Sequence, residues 1–344
     1  MATLGEALVG VCLVRSNHLF VLFLRDRETR VTTTAAVTVS AGERIRAHVA
    51  LTKPRIIELL LVTALPTMFL AAGGLPTWQA AVAVLTGGAL AAGAANTFNS
   101  IYDRDIDAVM HRTTSRPAVT GHVSVRAGFI QGLILAALSV TVLSVMANAL
   151  SALLALVAIV GYAVGYTMLL KRRTDQNIVW GGAAGCMPVL IAWSAVTGSL
   201  TWTPVVLFLL IFFWTPPHYW PLAIKYREDY RAASIPMLPA VRTATSVGRH
   251  IVGYSWVMVL TSLALIPIAP MGWVYSVGAV LLGGAFLVQA YRLSARIKID
   301  RLAAEITDDN YSPASLKLAM QLFHGSITYL AVIFLLVGLD PFVG

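Results

Sequence analysis

Nine apolar runs, each near the length of a bilayer crossing, constrain this chain more than any single residue does. They cover about 56–73, 77–101, 127–146, 149–170, 178–197, 202–224, 250–269, 273–291 and 320–339. Roughly 20 consecutive apolar residues span the hydrocarbon layer as a helix. Inside that layer each backbone N–H and C=O must be satisfied within its own segment, which favours helices. The expected fold is therefore all-α and polytopic, with about nine transmembrane helices. Composition agrees, since 58% of the 344 residues are hydrophobic and only 12% are charged. No soluble domain of useful size fits in what remains.

The charges test this count. All 25 Lys and Arg residues fall before the first run or in the connections after runs two, four, six and eight. The connections 74–76, 198–201 and 270–272 contain none. The positive-inside rule then places the N-terminus and the long loops in the cytoplasm and the C-terminus outside, consistent with an integral protein of a bacterial plasma membrane. Fifteen of the 16 acidic residues share the basic side, Asp340 being the exception, so polar chemistry is expected at that face. The net charge of +9 is spread over five juxtamembrane segments, which suits orientation and contact with anionic membrane lipid, not nucleic acid.

Residues 1–50 are expected to be a flexible cytoplasmic extension ahead of a transmembrane domain at 51–344. Arg15 and His18 split the apolar stretch LVGVCLVRSNHLFVLFL into pieces too short to cross. Glu6, Asp26, Glu28 and Glu43 suit a transit peptide poorly, so a long or mis-assigned start is the simpler expectation. GERIRAHVALTKPR at 42–55 reads as a surface helix entering the first span. The two cysteines, Cys12 and Cys186, exclude a Cys-rich metal cluster.

The most informative polar segment is NSIYDRDIDAVMHRTTSRP, where the second run meets a basic loop. Asn99, Asp103 and Asp107 recur every four residues. A step of four rotates a helical side chain by only roughly 40°, so one amide and two carboxylates line one face while Asp105 points elsewhere. Carboxylates one turn apart repel, and beside a membrane they need protons, water or a cation. Mg2+ is the economical cation, because it takes one or two carboxylates together with substrate phosphates.

A second cluster, WTPPHYWPLAIKYREDYRAASIPMLP, closes the sixth run. Pro216 and Pro217 are expected to break or kink that helix and to turn His218 toward the bundle interior. Glu228 and Asp229 follow about one and a half turns past the span, at the level of Asp103 and Asp107. If the two helices approach, their carboxylates could share Mg2+ with phosphate oxygens. Runs two and six point the same way and both end in acidic and basic stretches, which suggests two four-helix bundles plus one extra helix.

Arg112, Arg116, Lys171, Arg172, Lys225 and Arg227 lie at the same face. They can serve as topology markers or as an anion site, since guanidinium forks and ammonium groups grip phosphate oxygens. With no P-loop or dinucleotide glycine pattern in the chain, the ligand expected is a lipid-tailed diphosphate and not a nucleotide.

Three stretches in order, ANTFNSIYDRDIDAVMHRTTSRP, GYTMLLKRRTDQNIVWGGAAG and TPPHYWPLAIKYREDYRAASIPMLP, resemble the signatures of the intramembrane prenyltransferases of the UbiA superfamily, and in particular its heme-modifying branch. The resemblance covers about residues 50–340. It implies a UbiA-like helical bundle, Mg2+ as cofactor, farnesyl diphosphate as donor and heme b as acceptor. It also implies that Asn99, Asp103, Asp107 and Asp229 are catalytic and hold metal, and that Arg112, Arg116, Lys171 and Arg172 bind diphosphate. Lys225 is placed with this diphosphate-binding set, although it stands where the wider superfamily has an aspartate four residues before Asp229. His218 matches the histidine that marks the heme-modifying branch, while its residue chemistry suits an interior hydrogen bond equally well. Heme A synthase or terminal oxidase assembly factors are partners in keeping with that branch.

Two other readings stay open. The same metal site could prenylate a quinone precursor or chlorophyllide, although the HYW and EDYRAASIPMLP stretches favour heme. A transporter with broken helices is the alternative of a different class; the gathering of ionisable groups at one face argues against it.

Overall fold

The structure is a computed structural model that describes residues 40–303 and 310–343, the side chains of residues 56 and 59 excepted. The expectations for residues 1–39 lie outside the described residues. The chain divides into a leading unit, 1–44, and a body, 45–344. All regular structure among the described residues is helical. Helix α1 (Ala41–Leu51) opens on a capping box, in which Ser40 Oγ accepts from Glu43 N at 3.3 Å and Glu43 Oε2 accepts from Ser40 N at 2.8 Å. Then follow α2 (Pro54–Ala72), α3 (Trp78–Tyr102), the single turn α4 (Arg104–Asp107), α5 (Val125–Met146), α6 (Ala149–Val160), α7 (Asn177–Thr197) and α8 (Trp202–Lys225). The chain continues through α9 (Arg227–Ala232), α10 (Leu238–Val241), α11 (Ala244–Ile268), α12 (Trp273–Leu302) and α13 (Pro313–Val343).

Eight helices among the described residues are long and apolar enough to cross a membrane: α3, α5, α6 with its continuation to Leu170, α7, α8, α11, α12 and α13. The first expected span falls on the 19-residue α2, whose apolar stretch Leu60–Ala72 is shorter. The protein is an integral membrane protein. Thr77, Ser124, Asn148 and Thr243 accept from the third backbone N–H beyond them and so begin α3, α5, α6 and α11. Each such cap contributes about 1 kcal/mol. Helices α12 and α13 outrun their apolar runs because they continue past the hydrocarbon as polar helix; on α12 this extension carries Arg292, Arg296, Lys298 and Arg301.

Packing separates two groups of four. Helices α3, α5, α6 and α7 contact one another, as do α8, α11, α12 and α13; α7 packs directly on α8, and α2 joins the two groups further through α7 and α13. The tightest pair, α3 with α5, depends on missing side chains. A Cβ on Gly128 would lie 2.5 Å from Ile101 Cγ2, and one on Gly132 would lie 2.6 Å from the Phe98 ring. Close backbone approach replaces the hydrophobic drive that lipid does not supply. Gly132→Val should therefore lower stability by about 1–3 kcal/mol, seen as a reduced Tm in detergent, with a smaller loss when Phe98→Ala is added.

One expectation needs correction. The Pro216–Pro217 pair does not break the sixth span, because α8 runs continuously to Lys225 with Pro216, Pro217 and Pro221 inside it. All three prolines are buried against neighbouring helices, whose packing holds the helix continuous past the missing N–H groups. The stretch 149–170 is long and apolar enough to cross, as expected, and from Gly161 to Leu170 it is a π-helix, whose wider turn shifts the side chains that follow.

Candidate active site

Helix α3 ends at Tyr102, yet the four-residue register survives the end of the helix. Asp103 N donates to Asn99 O at 3.0 Å, and Asp107 N donates to Asp103 O at 2.9 Å. Asn99, Asp103 and Asp107 therefore remain on one side and are only 3%, 0% and 2% exposed. Buried carboxylates require partners, and each has one. Asp103 Oδ2 accepts from Asn99 Nδ2 at 2.6 Å and from Lys171 Nζ at 2.5 Å. Asp107 Oδ2 accepts from Arg116 Nη1 at 2.6 Å. Asp103 Oδ1 is buried without a hydrogen bond, and Arg172 Nη2 lies 3.6 Å from it.

The π-helix explains how Lys171 arrives. Its backbone N–H reaches Tyr166 O, five residues back, at 2.9 Å, and Thr167 Oγ1 reaches Tyr162 O at 2.9 Å. In this register the buried Thr167 hydroxyl also accepts from Asn99 Nδ2 at 3.1 Å. Arg172, the next residue, takes a different role. It forks onto the exposed Asp105 with two 2.7 Å bonds and lies 5.2 Å from the Tyr102 ring centroid. Burial works against the charged form of Asp105, but hydrogen bonds from Arg172 and the backbone outweigh it and lower its pKa. Asp105 is thus off the site face, and Arg172 is engaged at its rim.

The second cluster approaches through Arg112. Its Nη2 donates to Tyr230 Oη at 3.0 Å, and Tyr230 shares a 2.8 Å hydrogen bond with Tyr219. The guanidinium sits 5.6 Å from the Tyr226 and Tyr230 ring centroids. Burial and the neighbouring Tyr219 raise the Tyr230 pKa well above its usual value, so this hydroxyl is a neutral group suited to orientation. Asp229 on α9 is half-buried with no side-chain partner among the described residues, and Lys225 is exposed at the end of α8 near Tyr226. Among the described residues no three His, Cys, Asp or Glu side chains converge in a way that could hold a metal.

His218, next to Tyr219 on α8, makes its contacts with Trp214 and with α13. It stacks between Trp214 and Phe323, with centroids 4.1 and 4.8 Å away, and its Nδ1 is 2.7 Å from Ser326 Oγ. The interior hydrogen-bonding reading of this residue is the arrangement observed.

Lys53 is the site residue that the sequence did not reveal. Between α1 and α2 it adopts a left-handed conformation, φ 53° and ψ 65°, which a non-glycine residue reaches only at a cost of order 1–3 kcal/mol. The turn is held by Asn96 Nδ2 donating to Thr52 O at 3.0 Å, and α1 is tied to α5 by Gln131 Nε2 donating to His48 O at 2.9 Å. Lys53 Nζ consequently donates to Asn99 Oδ1 at 2.6 Å. Burial first, then repulsion from Arg116 and Lys171, lowers its pKa to about 7. The local signal was available, since the residue before Pro54 is disfavoured in a helix and a break had to occur there. The contact with Asn99, 46 residues away, was not.

Residues 60–305 match the UbiA prenyltransferase family. A protoheme IX farnesyltransferase of Paenarthrobacter aurescens is 50% identical over 306 residues, 89% of this chain and 92% of that protein. One from Kineococcus radiotolerans is 53% identical over 87% of this chain and 89% of its own length. The enzyme of the same name from Renibacterium salmoninarum is 49% identical over 92% and 98%. Among solved structures, a digeranylgeranylglyceryl phosphate synthase superposes with a TM-score of 0.69 at 14% identity, covering 87% of this chain and 99% of that one. A UbiA homolog of Archaeoglobus fulgidus bound to GPP and Mg2+ superposes with a TM-score of 0.56 at 18% identity, covering 84% and 99%.

Proposed function

This chain belongs to the UbiA prenyltransferase family, and from that premise we propose that it transfers the farnesyl group of farnesyl diphosphate to a vinyl group of heme b, giving heme O. The observation that carries the acceptor is the identity of about half, over nearly the whole chain, with relatives named protoheme IX farnesyltransferase. The charges carry the donor chemistry. Lys53, Arg116 and Lys171 surround a buried pair of carboxylates at one end of the bundle, which suits a diphosphate bound together with a cation.

The residues fit Mg2+, because Asp103 Oδ1 is a buried carboxylate oxygen with no hydrogen bond. Asn99, Asp103 and Asp107 would hold the ion, with Asp229 as the donor from the facing segment. Bound there, Mg2+ supplies Lewis-acid neutralisation of the diphosphate. Arg116 and Lys171, already within hydrogen-bonding distance of the carboxylates, can turn to phosphate oxygens as these accumulate negative charge. Arg112, Arg172 and Lys225 add positive charge at the rim. As the allylic C–O bond breaks, its electrons leave with the diphosphate. The allylic carbon bonds to the terminal vinyl carbon, and water adds to the other vinyl carbon with loss of a proton, completing the hydroxyethylfarnesyl group. Apolar helices keep water from the allylic cation until the carbon–carbon bond exists. Tyr230 orients Arg112 throughout.

The charge of the connections supports a cytoplasmic N-terminus and a site at the cytoplasmic face of the membrane. Purified protein given heme b, farnesyl diphosphate and Mg2+ should yield heme of increased mass, farnesylated and hydrated, detectable by mass spectrometry. EDTA should abolish the product. Unchanged heme beside an active control enzyme would overturn the acceptor and direct attention to a quinone precursor.

A further inference from the structure

Helices α11 and α12 run antiparallel and leave a cavity of about 350 Å³ between their polar ends, lined by Arg249, Gly253, Tyr291, Ser294 and Lys298. Arg249 and Lys298 are exposed, and neither has an ion-pair partner among the described residues. Seven residues along each helix, about 10 Å toward the apolar side, Trp256 Nε1 donates to Tyr291 Oη at 3.0 Å. Past that bond the exposed large side chains are apolar, among them Val257, Leu260, Leu281 and Val288. From the end of the bundle inward the order is two cations, an amphipathic Trp–Tyr pair, then hydrocarbon. A phospholipid presents a phosphate, a glycerol ester region and acyl chains in the same order.

We propose that this groove is a binding site for one anionic phospholipid, with its phosphate between Arg249 and Lys298, its ester region at Trp256 and Tyr291, and a chain along α11 and α12. The apolar track below the cations distinguishes a lipid from a free phosphate ion. Gly253 makes the room, because a Cβ there would meet nothing within 4 Å.

The test is native mass spectrometry of the full chain released from phosphatidylcholine nanodiscs doped with phosphatidylglycerol, with inorganic phosphate as a separate arm. Wild type should retain one phosphatidylglycerol. Arg249→Gln with Lys298→Gln should weaken retention roughly thirtyfold, given about 1 kcal/mol per basic residue near the surface. Gly253→Leu should also lose the lipid by filling the groove without altering charge. Arg126→Gln with Lys317→Gln removes the same charge from exposed positions on other helices and should leave retention intact. Undiminished retention in the first pair, equal loss in the control pair, or retention of phosphate alone without lipid would each overturn the proposal.

Discussion

Asp103→Asn is expected to reduce farnesyl transfer by a factor on the order of 10³ or more while leaving the protein inserted and folded. The side chain is wholly buried, and its two oxygens differ: Oδ2 is occupied by Asn99 and Lys171, whereas Oδ1 has no hydrogen bond. An amide keeps the shape and an acceptor for Lys171 but removes the anionic charge on which a cation depends. Asp103→Ala should be equally inactive and also less stable, by about 3–5 kcal/mol, because the ammonium of Lys171 would remain in the interior without its partner. Turnover of extracted heme and Tm in detergent measure the two effects separately. An Asp103→Asn enzyme with near wild-type turnover would sink the role of the buried carboxylate.

Lys53→Gly should separate function from folding more sharply. Glycine accepts φ 53° without penalty, so the backbone of the turn is relieved and Tm should hold or rise. Activity should nevertheless fall about 10²-fold, because Asn99 loses its Lys53 partner and the site loses an amine that an incoming diphosphate would hold protonated. Lys53→Arg should restore part of that activity, as the charge returns on a longer side chain. A fully active glycine variant would show that Lys53 merely ties α1 to α3. A parallel collapse of Tm and activity would show that its contact with Asn99 is structural.

The two variants differ in how legible their targets were. Asp103 could be found by counting, since spacing along one helix is a local property and the step of four persists beyond the end of α3. Lys53 could not, because its significance arises from a turn docked on a distant helix by Asn96. Arg172 shows the same limit in the opposite direction. Its position beside Lys171 suggested an equal part in the site, but the structure commits its fork to Asp105. For His218 the sequence left a heme-facing role and an interior hydrogen bond both open, and only the structure shows its ring stacked between Trp214 and Phe323 with Nδ1 2.7 Å from Ser326 Oγ.

By itself the sequence determined the membrane-spanning class, the location of the spans, the polar end of the bundle and the buried Asn99, Asp103 and Asp107 face. Each of these follows from hydrophobic length, charge placement or helical period, all of which are read within one segment. Only the tertiary structure decided that Pro216 and Pro217 stay inside a continuous helix, that a π-helix delivers Thr167 and Lys171 to Asn99 and Asp103, that Lys53 joins them, and that Arg249 and Lys298 flank one groove. The reason is physical: backbone geometry at a proline or a widened turn is selected by the helices packed against it, and the partner of a buried charge is whichever group packing brings within about 3 Å.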